Sequence, residues 1–281
     1  MATLSAALLQ YTAKADEMST AKIIFPMMEN ASAQGARFIA LPECATRLDP
    51  DRARLKASAD RQGESKILAK FCTFAAESKV WLSIGSMVLR SDHIDDDRLV
   101  NRSLLINPDG HITATYDKIH MFDVVINADE SYHESATYKP GDQAVMTSAE
   151  DAKIGMTICY DLRFPHLYHD LAMAGANVML IPSAFTVATG KAHWETLLRA
   201  RAIETGSFVL AAAQTGTHDE GPDGNHRRTY GHSMIISPWG DVLAQLGDEE
   251  GICLAELNLN SSAQARRRLP VLEQKRNYQF S

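Results

Sequence analysis

Short apolar runs alternate with longer, more polar stretches along nearly the whole chain. Residues 2–10, 37–43, 80–88, 100–108 and 111–118 read as strands, and 153–161, 177–185, 207–214, 231–238, 242–246 and 252–257 follow in the same way. These runs are rich in Val, Ile and Leu, and several are apolar at successive positions. That pattern marks strands covered on both faces, whereas strict alternation would mark a strand with one wet face. Residues 16–34 carry Ala21, Ile24, Phe25, Met28 and Ala31 near helical spacing. Pro26 lies inside that stretch and is expected to kink or divide the helix, because it lacks the N–H a helix interior needs. Residues 65–78 and 193–204 read as cleaner helices, and 165–174 opens on a proline suited to a first helical turn.

Turns punctuate this pattern. Asn107-Pro108-Asp109-Gly110 and Ser237-Pro238-Trp239-Gly240-Asp241 each separate two strands. Residues 121–143 and 216–230 read as long loops, a feature common in lids and binding segments. The acidic run 92–97 reads as a solvated hairpin tip. No linker, low-complexity stretch or repeat of fixed period divides the chain, so a single α/β domain over 1–281 is expected.

Composition narrows the function classes. Hydrophobic residues make up 45% and charged residues 22%, so a chain of 281 residues can bury a sizeable core without staples. A net charge of −7 argues against nucleic acid or an acidic membrane as a partner, since both need a basic face. The one basic cluster, Arg266–Arg267–Arg268, reads as a solvated helix face. The N-terminus lacks the basic region and long apolar core of a signal peptide, and no run approaches a membrane span. Cys44, Cys72, Cys159 and Cys253 are widely spaced, without a CxxC pair. They read as free thiols of a reducing, cytoplasmic compartment rather than as disulfides or a structural zinc site. His166 and His169 are three apart on a helix, but no further ligand stands near them and no metal is expected.

Three residues that end apolar runs carry candidate chemistry. Cys159 closes Ile154-Gly155-Met156-Thr157-Ile158 and precedes Tyr160-Asp161-Leu162-Arg163-Phe164-Pro165. It is either a nucleophile at a strand's C-terminal end or a buried structural cysteine. In the first case a helix N-terminus and Arg163 would favour its thiolate. Glu43 closes Phe38-Ile39-Ala40-Leu41-Pro42 and is either a general base or a strand-end surface charge. Lys118, after Tyr116-Asp117, is either part of a site or an ordinary surface lysine. His120, His193 and His232 can line a pocket or simply bond within the scaffold.

The stretches Leu41-Pro42-Glu43, Tyr116-Asp117-Lys118-Ile119-His120-Met121-Phe122-Asp123 and Cys159-Tyr160-Asp161-Leu162-Arg163-Phe164-Pro165 occur in this order. Together with Tyr138-Lys139-Pro140-Gly141 and Pro182-Ser183-Ala184-Phe185-Thr186, they resemble the nitrilase (carbon–nitrogen hydrolase) superfamily over essentially the whole chain. The resemblance implies a four-layer αββα sandwich, a Glu43–Lys118–Cys159 triad and, in Tyr132-His133-Glu134-Ser135, a second glutamate, Glu134, that positions the lysine and substrate. It also implies a homodimer or higher even oligomer, for which the late apolar residues Leu269, Val271, Leu272, Tyr278 and Phe280 supply a motive.

The chemistry of such a triad follows from the weak electrophilicity of an amide carbon. Glu43 would take the Cys159 proton, return it to the leaving amine and later activate water against the thioester. Lys118 and a backbone N–H near Tyr160 would hold the oxyanion, each such donor being worth about 3 kcal/mol. No metal or organic cofactor is required. Tyr160-Asp161 after the cysteine, where nitrile-cleaving relatives carry Trp-Glu, is similar to the amidase branch containing deaminated glutathione amidase and ω-amidase. Segments 198–204, 211–214 and 230–233 lean towards the former. The expected reaction is therefore hydrolysis of a small carboxylate-bearing amide, foremost deaminated glutathione to 2-oxoglutarate and Cys-Gly. The alternatives are 2-oxoglutaramate, an N-carbamoyl amide, or a catalytically silent scaffold. Arg163 would clamp a substrate carboxylate or else pair with a neighbouring acid, and Tyr160, Phe185 and Thr186 would line the substrate site. Residues 216–228 form a longer insertion than this branch leads one to expect, where the family's loops approach the substrate mouth.

Overall fold

The computed structural model describes residues 2–91, 96–127, 130–222 and 224–280. Its first half supplies β1 (Thr3–Gln10), α1 (Glu17–Ala33), β2 (Phe38–Ala40), α2 (Arg52–Ser58), α3 (Lys66–Ser78), β3 (Trp81–Arg90), β4 (Leu99–Ile106) and β5 (Ile112–Asp117). A hairpin of β6 (Asp123–Asn127) and β7 (Glu130–His133) leads to β8 (Val145–Ala149), β9 (Ala152–Met156), α4 (Pro165–Met173), β10 (Val178–Leu180), α5 (Val187–Thr205) and β11 (Phe208–Ala211). A second hairpin, β12 (Thr215–Glu220) and β13 (His226–Tyr230), precedes β14 (Met234–Ile236), β15 (Val242–Gln245), β16 (Gly251–Asn258) and α6 (Asn260–Arg268).

The strands form two six-stranded sheets, ordered β16-β1-β2-β3-β4-β5 and β15-β14-β11-β10-β9-β8. Strand β1 explains the layering. Its Leu4, Ala6 and Leu8 share one apolar cluster with Ile154, Val178 and Val209 of the second sheet. On its other face, Ala7 and Leu9 join Ile24 and Met28 of α1 and Phe71 of α3. The second sheet is covered in turn by Leu167 and Leu171 of α4 and Leu198 and Ala202 of α5. The layers therefore run helices, sheet, sheet, helices, the αββα sandwich that the continuous apolar runs require. Both faces of each inner strand are dry, so truncating a buried ring such as Phe71 to alanine would cost about 3–5 kcal/mol.

All eleven expected strands are present, but other expectations need correction. Residues 121–143 and 216–230 are not plain loops, because each contains a hairpin. Their strands are short and half-exposed; β7, β12 and β13 are mostly polar, and the apolar Val124-Val125-Ile126 of β6 is too short a run to stand out beside the core strands. Pro26 does not divide α1, which is continuous from Glu17 to Ala33. Pro26 and Lys22 both face solvent, so water can serve the carbonyl that loses its helical partner. Arg266 is not solvated as expected. Its guanidinium donates to the carbonyls of Thr205 and Ala176 and to Ser207 Oγ, tying α6 to the end of α5. Of the acidic run 92–97, residues 92–95 lie outside the described residues, while Asp96 pairs with Arg98 and Asp97 with Lys56. Among the described residues no helix is long and apolar enough to cross a membrane.

The topology also sets up the site. Strands β2 and β3 are parallel, and β5 runs the same way two antiparallel steps further on. The C-terminal ends of β2 and β5, which lead to Glu43 and Lys118, thus lie along one edge of the first sheet. Gly85 in β3 lets the backbone approach closely there. A Cβ at this position would stand 2.1 Å from the Leu41 carbonyl oxygen and 2.5 Å from both the Pro42 carbonyl oxygen and Pro182 Cβ. Gly85→Ala should therefore lower unfolding stability by about 1–3 kcal/mol through overpacking. Urea denaturation checks this, and an unchanged midpoint would mean that the segment before Glu43 yields freely.

Candidate active site

The site is built where three strand ends meet. Cys159 follows β9 and opens a 3₁₀ turn, Cys159–Arg163, with φ of +50°. That left-handed conformation is strained for a residue with a Cβ and must be held by its surroundings. Two anchors hold it. The Cys159 N–H donates to the Pro182 carbonyl at 2.9 Å. Asp161, fully buried, accepts from the Ile158 N–H (2.8 Å), the Tyr116 hydroxyl (2.6 Å) and the His120 N–H (3.1 Å), with His120 Nδ1 at 2.7 Å. Through Tyr116 and His120 the turn is locked to the end of β5, in the other sheet.

Glu43 is 4% exposed. Its Oε1 accepts from Lys118 Nζ at 2.9 Å and from Asn101 Nδ2 at 3.0 Å, and its Oε2 accepts from the Ala184 N–H at 2.9 Å. The Cys159 thiol lies beside the same carboxylate, close enough for each group to shift the ionisation of the other. Lys118 is 2% exposed and also reaches both oxygens of Glu134 at 2.9 Å. Glu134 opens a 3₁₀ turn after β7 and is fixed by the Phe122 N–H at 2.6 Å. The structure thus brings Glu43, Lys118, Glu134 and Cys159 together, and one ammonium answers two carboxylates.

Burial tends to raise the Glu43 carboxyl, but Lys118 and the hydrogen bonds from Cys159 and Lys118 outweigh it and hold it below its ordinary value. Burial opposes the Lys118 charge, yet Glu134, Glu43 and Cys159 raise its pKa well above the usual ammonium range. The Cys159 thiol is pushed well up, first by burial and then by the Glu43 carboxylate. The resting pair is therefore thiol plus carboxylate. This corrects the expectation of a thiolate formed by the helix N-terminus and Arg163. A 3₁₀ turn stands between Cys159 and α4, and Glu43 is the dominant charged neighbour. Glu43 is the carboxylate placed beside the protonated thiol. Cys44 also lines the cavity, but burial and Glu43 push its thiol up to about 12.

The four residues line a cavity of about 1430 Å³ that includes Tyr160, Phe185 and Thr186. Phe185 packs on Trp194 with ring centroids 4.8 Å apart. Thr186 Oγ1 caps α5 by accepting from the Thr189 N–H, so its hydroxyl is already engaged. Arg163 lines the same cavity, its guanidinium 5.5 Å from the Phe185 ring centroid, 5.9 Å from that of Tyr160 and 3.3 Å from His193 Nδ1. No carboxylate pairs with it among the described residues, which removes the salt-bridge alternative. His120, His193 and His232 do not line the cavity. His120 serves Asp161, His193 meets Arg163, and His232 stacks on Tyr230. Among the described residues no group of three His, Cys, Asp or Glu is placed to hold a metal.

Two residues of the cavity lay outside the sequence reading. Asn101, at the start of β4, ties Glu43 to Glu134. Arg227, on β13, donates from Nη2 to the Ala184 carbonyl at 2.9 Å and stacks 5.6 Å from the Tyr132 ring centroid. The one signal for Arg227 was its period-two spacing from buried Thr229.

A buried carboxylate–ammonium–carboxylate group beside a thiol, under a large cavity, defines a cysteine hydrolase site of the carbon–nitrogen hydrolase kind. The carbon-nitrogen hydrolase family model matches residues 5–267, and the chain belongs to that family, whose members are hydrolases acting on C–N bonds. It is 40% identical over 274 residues to "Deaminated glutathione amidase" of Homo sapiens, covering 96% of this chain and 81% of that protein. The C. elegans NitFhit protein superposes with a TM-score of 0.87 at 34% identity, over 98% of this chain but 65% of that one. Saccharomyces cerevisiae Nit3, a member of branch 10 of the nitrilase superfamily, superposes with a TM-score of 0.84 at 27% identity, over 98% and 97%.

The linked ionisations have definite signs. A carboxyl whose folded pKa is depressed adds stability above its unfolded value, about 4.3, and loses it as pH falls through the folded value. A raised lysine adds stability below about 10.4 and loses it as pH rises through the folded value. Glu43 and Lys118 thus both stabilise the fold across the neutral range. Carboxyl ¹³C NMR should show Glu43 titrating below about 4.3. A midpoint above that value would contradict the assigned resting state.

Proposed function

We propose that the chain hydrolyses a carboxylate-bearing amide through an acyl-thioester on Cys159, foremost deaminated glutathione to 2-oxoglutarate and Cys-Gly. The observation that carries this reading is the placement of Glu43, bonded to Lys118, beside the Cys159 thiol on the wall of a cavity of about 1430 Å³. Glu43 takes the thiol proton as sulfur attacks the amide carbon, then delivers it to the departing amine. Lys118 stays charged throughout and, with the backbone N–H of Tyr160, steadies the oxyanion. Glu134 and Asn101 hold Lys118 and Glu43 in register. Water then enters where the amine left, and Glu43 activates it against the thioester.

The cavity exceeds the roughly 300–1,000 Å³ common for small-ligand sites, which favours an amide with a dipeptide-sized amine half over one that releases ammonia. The name of the human relative agrees with that preference. Arg163 would form a bidentate fork with the 2-oxo acid carboxylate. The whole chain acts as one unit in the cytoplasm, and no cofactor is called on. Leu269, Val271, Tyr278 and Phe280 are 52%, 49%, 81% and 96% exposed, which supports burial of the tail against a second copy in a homodimer or higher even oligomer.

Cys159→Ala should abolish turnover of the 2-oxo dicarboxylic amide with the fold retained, and Glu43→Gln should cost about 10²–10⁴ in kcat. Steady-state kinetics checks both, and wild-type turnover by either variant would sink the mechanism. Arg163→Ala should weaken binding of that amide by about 2–5 kcal/mol and that of an uncharged amide far less. Equal losses in kcat/KM on the two amides would reduce Arg163 to a scaffold role.

A further inference from the structure

Arg227 is a charged group in the cavity that the proposed reaction does not use. Its Nε is buried and has no hydrogen-bond partner, and no carboxylate pairs with it among the described residues. A guanidinium offers five donors, and here only Nη2 has a protein acceptor, the Ala184 carbonyl. Leaving such a donor dry and unpaired is costly unless a ligand completes it. The fold nevertheless holds Arg227 there. Its hairpin is pinned by the Thr186–Thr229 bridge, and its guanidinium lies over the Tyr132 ring of the other hairpin, 5.6 Å from the centroid.

The location indicates which part of a substrate Arg227 faces. Ala184 accepts from Arg227 through its carbonyl and donates to Glu43 Oε2 through its N–H. Glu43 is the group that hands its proton to the departing amine in the proposed reaction, and the Ala184 peptide links Arg227 to it. Arg163 stands against different rings, those of Tyr160 and Phe185. Arg52 and Arg228 also line the cavity but are exposed, so Arg163 and Arg227 are its two half-buried guanidinium groups without an acidic partner among the described residues, and its volume leaves room for both halves of an amide.

We propose that Arg227 is a specificity-determining residue that binds a carboxylate on the amine half of the substrate, while Arg163 takes the carboxylate of the acyl half. The site then selects an amide that is acidic at both ends. This rests on the amidase reading above and adds to it the residue that recognises the carboxylate of the leaving half. Asp219, on the same hairpin, is engaged elsewhere, accepting from the Ala15 N–H, and does not neutralise Arg227.

The test uses two substrates with the same 2-oxo acyl half. One has a dipeptide amine half ending in a free carboxylate, and in the other that carboxylate is a primary carboxamide. Wild type should favour the acid by about tenfold or more in kcat/KM, mainly through KM. Arg227→Gln should erase this preference, Arg227→Lys should keep part of it, and Arg163→Gln should slow both substrates while leaving their ratio intact. A wild type indifferent to the change, or an Arg227→Gln protein that slows both substrates by one factor, overturns the proposal and leaves Arg227 a brace for Ala184. If wild type cleaves neither amide, the amidase reading itself fails and takes the proposal with it. The acid-to-carboxamide ratio in wild type stands even if Arg227→Gln does not fold.

Discussion

A buried ammonium between two carboxylates is the constraint on which this protein is organised. Lys118 has almost no contact with water, and its charge can be kept only because Glu43 and Glu134 both reach it at 2.9 Å. Removing one partner from such a buried group typically costs about 3–5 kcal/mol, because the other charge is stranded. The group therefore fixes where the ends of β2 and β5 and the hairpin β6–β7 must meet. It also decides the protonation of the thiol. With Glu43 held ionised by Lys118, Cys159 remains a thiol whose proton has a ready acceptor.

The second sheet is brought to that group by a turn that would not persist alone. Cys159 holds a left-handed φ because its N–H is claimed by Pro182 and the turn is stapled by Asp161. Asp161 draws its donors from both sheets, through Ile158 on one side and Tyr116 and His120 on the other. Strain at the proposed nucleophile is thus balanced by hydrogen bonds spanning the sandwich, which aim the sulfur at the cavity. The hairpins, outside the two six-stranded sheets, line the cavity, and β13 carries Arg227.

This division explains what was legible in the sequence. Core strands such as Val178-Met179-Leu180 are dry on both faces, so their continuous apolar runs announced them, and the layered fold followed. Glu43, Lys118 and Cys159 stood out because each ends such a run. Glu134 was reached through resemblance, since a glutamate in a polar stretch has no local signature. The hairpins β6–β7 and β12–β13 were hidden because three of their four strands are mostly polar and the apolar run of β6 is only three residues long, so the segments read as loops. Arg227 was hidden with them, as was Asn101, whose role depends on contacts 58 and 33 residues away in the chain. Glu43 was assigned to the Cys159 proton through the resemblance, whereas the help expected from Arg163 rested on proximity in sequence and is not what the thiol meets in space.

The central claim is that the Cys159 sulfur carries the acyl half of the substrate between two chemical steps. Intact-protein mass spectrometry on acid-quenched enzyme, with and without the 2-oxo dicarboxylic amide, tests it directly. The account predicts an adduct equal in mass to the substrate minus its amine, mapped by peptide digestion to Cys159 and lost when hydroxylamine cleaves the thioester. Turnover that leaves no adduct at any quench time in the approach to steady state, or an adduct mapped to Cys44 instead, would contradict it.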